Sequence, residues 1–154
     1  MESSPSLLIV YHSQSGTTER LAQAIEEGAC RVPRVKVVCM KAADVTAYDF
    51  EACRCIVLCS PEYFGYMAGA IKDLFDRTYE KVRDKVSGKS YSVVISAGND
   101  GTGALTSIER IIAGYKLKKI QEPIIWKGEL NDNILETCAR LGQTLAAGIE
   151  LGIY

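Results

Sequence analysis

Leu7-Leu8-Ile9-Val10-Tyr11 runs directly into His12-Ser13-Gln14-Ser15-Gly16-Thr17-Thr18, and this stretch decides the fold. An unbroken apolar run suits a parallel strand covered on both faces, because a strand with one wet face alternates apolar and polar side chains. The residues after it carry hydroxyls, one amide and one glycine, before the helical pattern of Glu19 to Glu27 begins. A loop of this kind at a helix N-terminus offers unpaired N–H groups, hydroxyl donors and the positive end of a helix dipole, a set that suits phosphate. Gly16 lets the backbone approach closely. The alternative is an ordinary strand-to-helix turn with hydroxyl caps.

Going outward from that stretch, a chain of 154 residues is expected to form a single domain over 1–154 with a core of its own. Its 18 Lys and Arg nearly balance its 19 Asp and Glu, so no global field favours nucleic acid, an acidic membrane or a strongly charged partner. Met1 to Ser6 lack the basic and apolar regions of a signal peptide, and no apolar run approaches the ~20 residues of a bilayer span. A cytoplasmic location without membrane insertion is expected, with the six cysteines reduced. Cys53, Cys55 and Cys59 fall on one face of a candidate strand and read as small apolar residues rather than metal ligands.

The helix after the first loop puts Thr18, Leu21, Ile25 and Gly28 on one face. Arg34 to Met40 reads as a second strand, and Lys41 to Ala52 as a short crossover. Arg54 to Ser60 is a third strand, again apolar throughout. Pro61 to Tyr66 breaks the pattern with a proline and a glycine around three aromatics, and a helix follows with Met67, Ile71, Leu74 and Phe75 inward. Ser90 to Ala97 is a fourth strand, leading into Gly98-Asn99-Asp100-Gly101-Thr102-Gly103. Leu105, Ile108, Ile112 and Tyr115 mark the next helix, Lys119 to Trp126 a fifth strand through Pro123, and Asn131 to Gly148 the last helix.

Strands alternating with helices imply an α/β fold, a doubly wound five-stranded parallel sheet in the order 2-1-3-4-5. Ligands of such sheets bind at the carboxyl ends of the strands, where the order reverses. The three unusual loops, after strands one, three and four, all emerge at that end.

Absent motifs narrow the chemistry. The first loop has no lysine for a P-loop and only Gly16 of a dinucleotide fingerprint. A receiver domain needs acids where His12-Ser13 and Cys59-Ser60 stand; no cysteine opens a Cys-x5-Arg phosphatase loop; Ser15 lacks the glycine pattern of a hydrolase elbow. His12 therefore has no triad to serve and reads as a hydrogen-bonded imidazole at a strand end. A ligand with one phosphate and a flat ring remains, and flavin mononucleotide (FMN) fits. The phosphate would lie on Ser13 to Thr18, with Tyr63, Phe64 and Tyr66 against the ring, unless those aromatics are core or a dimer surface.

The sequence resembles the flavodoxin-like superfamily over its whole length, through Leu7 to Thr18, Ser60 to Arg77 and Ser96 to Gly103. The first segment is similar to the flavodoxin phosphate loop. The second is more similar to the NAD(P)H-dependent FMN reductases and quinone reductases, in which a proline, an aromatic and a glycine lead into an inner helix. The resemblance implies that Ser13, Gln14, Ser15, Gly16, Thr17 and Thr18 hold the phosphate. It implies Pro61, Glu62, Tyr63, Phe64 and Gly65 on the ring, and Ala97, Gly98, Asn99, Asp100 and Gly101 on its pyrimidine side. Electron-carrier flavodoxins commonly have an aromatic in the loop after strand four, and this chain has none there.

The resemblance further implies an oxidoreductase that passes electrons from NAD(P)H through FMN to a small-molecule acceptor, a quinone, free flavin or similar, with no catalytic side chain. A homodimer or homotetramer is expected with it. Two alternatives stand beside this: an electron-carrying flavodoxin, and a flavodoxin-like interaction module without flavin. Carriers are typically strongly acidic, whereas the net charge here is -1, with Lys72 and Arg77 near Glu62, Asp73 and Asp76.

Overall fold

The computed structural model describes residues 6–154, so the reading of the segment before Ser6 lies outside the described residues. In chain order the elements are β1 (Ser6–Tyr11), α1 (Thr17–Ala29), β2 (Lys36–Lys41), a 3-10 turn (Ala42–Asp44), α2 (Ala47–Ala52), β3 (Cys55–Tyr63) and β4 (Tyr66–Met67). They continue with α3 (Gly69–Val82), β5 (Ser90–Ala97), α4 (Thr102–Tyr115), β6 (Lys118–Lys119), β7 (Ile124–Lys127) and α5 (Asp132–Glu150).

The sheet runs β2-β1-β3-β5, with β6 and β7 both paired to the outer edge of β5. Every pairing is parallel except that of β4 with β3. Taking β5 as the fourth strand and β6 with β7 as the fifth, this is the expected 2-1-3-4-5 order. Strand alternation divides the core between two faces. Leu8, Val10, Ile56, Leu58, Val93 and Ile95 pack with α3 and α4, while Leu7, Ile9, Cys55, Val57, Cys59 and Val94 pack with α1 and α5.

Helix α1 meets α5 at backbone distance. A Cβ on Gly28 would lie 1.7 Å from the Ala139 carbonyl oxygen, and one on Gly142 would lie 1.9 Å from that of Ile25. Only glycine permits that approach, which lets the two helices cover one face of the sheet together.

Four local expectations are corrected. The third strand does not stop at Ser60 but continues to Tyr63. Pro61 is tolerated inside it because the β1 ladder ends at Cys59, so beyond that point β3 has a parallel neighbour on one side only. Met67 belongs to β4 and not to a helix face, since α3 starts at Gly69. The fifth strand is split, because Gln121 adopts φ 61° and Pro123 has no N–H to give to the ladder. Cys53 precedes β3 and packs with Phe50 on the face opposite Cys55 and Cys59, so the three do not share a face. All three are buried thiols, and burial pushes Cys53 up to about 12.

Candidate functional site

Strands β1, β3 and β5 are neighbours, and the loops that leave their carboxyl ends therefore lie side by side. The chain reverses direction across the sheet here, since β2 lies on one side of β1 and β3 on the other.

In the first loop, Gly16 is the residue before α1 and adopts φ 97°, a left-handed conformation that disfavours side chains. A Cβ there would meet nothing within 4 Å, so the demand is conformational and the ground above the loop is open. The Gly16 N–H donates to the Ser13 hydroxyl at 3.0 Å, and the first intrahelical bond runs from the Arg20 N–H to the Gly16 carbonyl. The N–H groups of Thr17, Thr18 and Glu19 thus precede the helical ladder, and among the described residues no side chain caps them. Gln14, Ser15 and Gly16 are exposed, Ser13 and Thr17 half-buried. Thr18 differs: its side chain is buried, and its hydroxyl shares a hydrogen bond of 2.8 Å with that of Ser96 on β5. Thr18 faces the loop through its main chain.

The second loop is a two-residue hairpin. Tyr63 pairs with Tyr66 and Glu62 with Met67, leaving Phe64 and Gly65 as the turn, with φ 55° and 69°. Positive φ at both central residues is the turn whose twist matches antiparallel strands, and a phenylalanine is unusual there. The Phe64 side chain stands fully in solvent. Tyr63 is half-buried, meets the His12 ring edge-on at 6.1 Å, and has its phenol pushed up by burial, partly offset by a hydrogen bond from the Gln14 backbone. Among the described residues the His12 side chain packs against Tyr63 and has no hydrogen-bond partner, while its backbone N–H donates to the Cys59 carbonyl.

The Glu62 carboxylate leaves its own loop. One oxygen accepts the N–H of Gly101 and the other that of Ala104, each at 3.0 Å, capping α4 from across the sheet. Ser107 on α4 adds a second tie by accepting the Met67 N–H at 3.1 Å. A third is steric, since a Cβ on Gly103 would lie 2.1 Å from the Gly65 carbonyl oxygen.

In the third loop, Ala97 is half-buried, Gly98, Asn99 and Asp100 are exposed, and Gly101 is buried at φ 87°. The Asp100 carboxylate accepts from the Thr102 hydroxyl. The structure therefore brings the residues from Ser13 to Gly101 singled out above onto one edge, with the side chains of Thr18 and Glu62 engaged inside the protein.

Residues 9–133 match the family described as Flavodoxin. The chain belongs to the flavodoxin family. Among its relatives, it is 28% identical over 105 residues to a flavodoxin of Clostridium saccharobutylicum, a match covering 68% of this chain and 66% of that one. It is 22% identical to an NAD(P)H dehydrogenase (quinone) of Syntrophus aciditrophicus (strain SB), over 92% of this chain and 84% of that one. A flavodoxin from the domain Archaea superposes with a TM-score of 0.81 at 24% identity, over 94% of this chain and 99% of the other, a likeness of fold.

Within this flavodoxin-family fold, the features that sequence reasoning missed are all long-range. Ser96, Ser107 and the capping role of Glu62 hold the three loops to one another, and each partner lies at least 39 residues away in the chain. No local spacing signals such a contact. Among the described residues, no helix is long and apolar enough to cross a membrane, and no three His, Cys, Asp or Glu are grouped to hold a metal ion.

Proposed function

We propose that this chain binds FMN and serves as an NAD(P)H-dependent oxidoreductase, passing electrons to a quinone, free flavin or similar small acceptor. The single observation that carries the reading is the N-terminus of α1, with left-handed Gly16, open ground above it, nearby hydroxyls and no side-chain cap. These donors fit a phosphate monoester. Ser13, Ser15 and Thr17 would hold it through hydroxyls and Gln14, Thr17 and Thr18 through main-chain N–H groups, while Gly16, whose own N–H is given to Ser13, shapes the turn and leaves room for it. Pro61 to Gly65 would border the ring with Tyr63 and Phe64 against it, and Ala97 to Gly101 its polar edge.

When bound, FMN supplies two-electron transfer, which the protein serves by orientation, exclusion of water and tuning through nearby hydrogen bonds. No acid, base or nucleophile of the chain is required. The quinone-reductase relative supports the enzyme reading, and a cytoplasmic setting with a homodimer or homotetramer is part of the same proposal.

The second reading, an electron carrier without a substrate of its own, is favoured by the flavodoxin relative. The near-neutral chain speaks against it, as does α3, where Lys72–Asp76 and Arg77–Asp73 pair at 2.7 Å and leave no acidic face there for steering.

The test is an equilibrium titration of flavin-free protein with FMN and with riboflavin, read by quenching of flavin fluorescence. FMN is expected to bind at least about tenfold more tightly, since riboflavin lacks the phosphate. Oxidation of NADH or NADPH by the loaded protein, with a quinone present, then separates enzyme from carrier. A folded chain that binds neither flavin overturns both redox readings and leaves the interaction module.

A further inference from the structure

Two helices, α1 and α4, start at the candidate site, and they start alike. Each is preceded by a glycine in the left-handed region, Gly16 at φ 97° and Gly101 at φ 87°, and neither glycine supplies a cap. They differ in what meets their N–H groups. At α4 the Glu62 carboxylate accepts from Gly101 and Ala104, one oxygen each at 3.0 Å, and so brings its own anion to that helix dipole. At α1 the nearest acid in the first turn, Glu19, makes no hydrogen bond to those donors.

We propose that Glu62 is a positioning residue: by capping α4 from β3 it fixes the third loop against the hairpin. The inference rests on the flavin reading above. Gly98, Asn99 and Asp100 lie in solvent, and a Cβ on Gly98 would meet no atom within 4 Å, so packing does not hold the rim of this loop. Its far end is held at Gly101, where the Glu62 side chain arrives from β3. The other ties between hairpin and α4, Met67 to Ser107 and Gly65 to Gly103, attach beyond Gly101 within the helix. Glu62 alone among the three reaches the loop itself. Through that bond, a change in the ring-facing hairpin is passed to the third loop, which would lie at the ring's polar edge.

The experiment compares the unaltered protein with Glu62→Ala and Glu62→Gln, the latter keeping one acceptor oxygen and the side-chain shape. Amide hydrogen exchange of the flavin-free proteins is read first. Gly101 and Ala104 are expected to exchange at least about tenfold faster in Glu62→Ala, with Glu62→Gln between the two. Affinity for FMN and riboflavin and the visible circular dichroism of the bound flavin follow. Glu62→Ala is expected to weaken both flavins by a similar factor, about tenfold, and to change the flavin dichroism, because the ring edge and not the phosphate contact is disturbed. Unchanged exchange at Gly101 and Ala104 would overturn the proposal, as would flavin affinities and dichroism that stay the same while exchange rises. A loss confined to FMN would also overturn it, because Glu62 would then act on the phosphate. If the unaltered protein binds no flavin, the functional reading fails, while the exchange data still report separately on the cap.

Discussion

The hydroxyl of Thr18, in the first turn of α1, lies 2.8 Å from that of Ser96 near the end of β5, and both side chains are buried. This bond ties the first loop to the third from beneath, as Glu62 ties the second to the third from the side. Replacing Thr18 by valine keeps the shape and leaves the Ser96 hydroxyl buried without this partner. The expected loss is about 1–3 kcal/mol in a urea titration. Adding Ser96→Ala is expected to cost less than the sum of the single changes, because no orphaned hydroxyl then remains. Equal and additive losses would show that the pair is not coupled.

Gly16 supports a different prediction, because its constraint is backbone conformation and not space. Gly16→Val with Thr17→Ala forces a β-branched residue toward φ 97° and removes one loop hydroxyl. FMN affinity is expected to fall at least about tenfold, or ~1.4 kcal/mol, with riboflavin affinity changed much less. Thr18→Val is expected to cost less FMN affinity than this pair, since the Thr18 hydroxyl points into the protein. Fluorescence titrations of the folded variants decide both points, and unchanged FMN affinity would remove the first loop from the site.

Much of this arrangement is legible in the chain. Leu7 to Val10 and Cys55 to Leu58 are buried on both faces, as their unbroken apolar runs imply. What is not legible depends on residues distant in sequence. Nothing near Pro61 says that β1 has already ended beside it, so the strand looks finished when it is not. Glu62 looks like a ring-side acid and caps a helix 39 residues on. Thr18 has the identity of a phosphate ligand, yet a helix turn aims its side chain at Ser96. Periodicity reports which face is covered, and it carries no information on which polar groups find each other across the sheet.

Phe64 combines a left-handed backbone at φ 55° with a side chain fully in solvent. Such a residue contributes no packing to the fold and carries strain of about 1–3 kcal/mol. Asparagine tolerates this conformation and precedes glycine in favoured hairpin turns, so Phe64→Asn is expected to stabilise the protein by about 0.5–1 kcal/mol. If the ring stacks on bound flavin, the same change weakens FMN binding and alters the visible flavin spectrum. Thermal unfolding with and without FMN separates the effects. Higher stability without flavin, together with a smaller gain on adding it, is the expected result. A destabilised flavin-free variant would mean that the ring packs on the protein after all.

The six cysteines are free thiols, and their surroundings differ enough to predict which one reacts. Cys30 is exposed after α1, whereas burial pushes Cys39 and Cys53 up to about 12 and Cys138 up to about 11. For Cys39 the acids Glu26 and Glu19 add to the effect. Cys55 and Cys59 are raised as well, again by burial first. The thiolate is the reactive form, so a thiol at 12 is ionised to roughly one part in ten thousand at pH 8. A thiol reagent at pH 8 is therefore expected to label one cysteine quickly in the native protein and all six in urea. The same shifts set a pH limit. Because the folded values lie above the ordinary thiol value of 9.0, the unfolded chain gives up these protons first as pH rises. Their contribution to stability is complete below about pH 9 and declines from there toward pH 12. Urea midpoints that stay level from pH 7 to 8.5 and fall by pH 10 are expected. Replacing Cys39 and Cys53 by alanine should flatten the fall, and an equal fall in that variant would assign it to other groups.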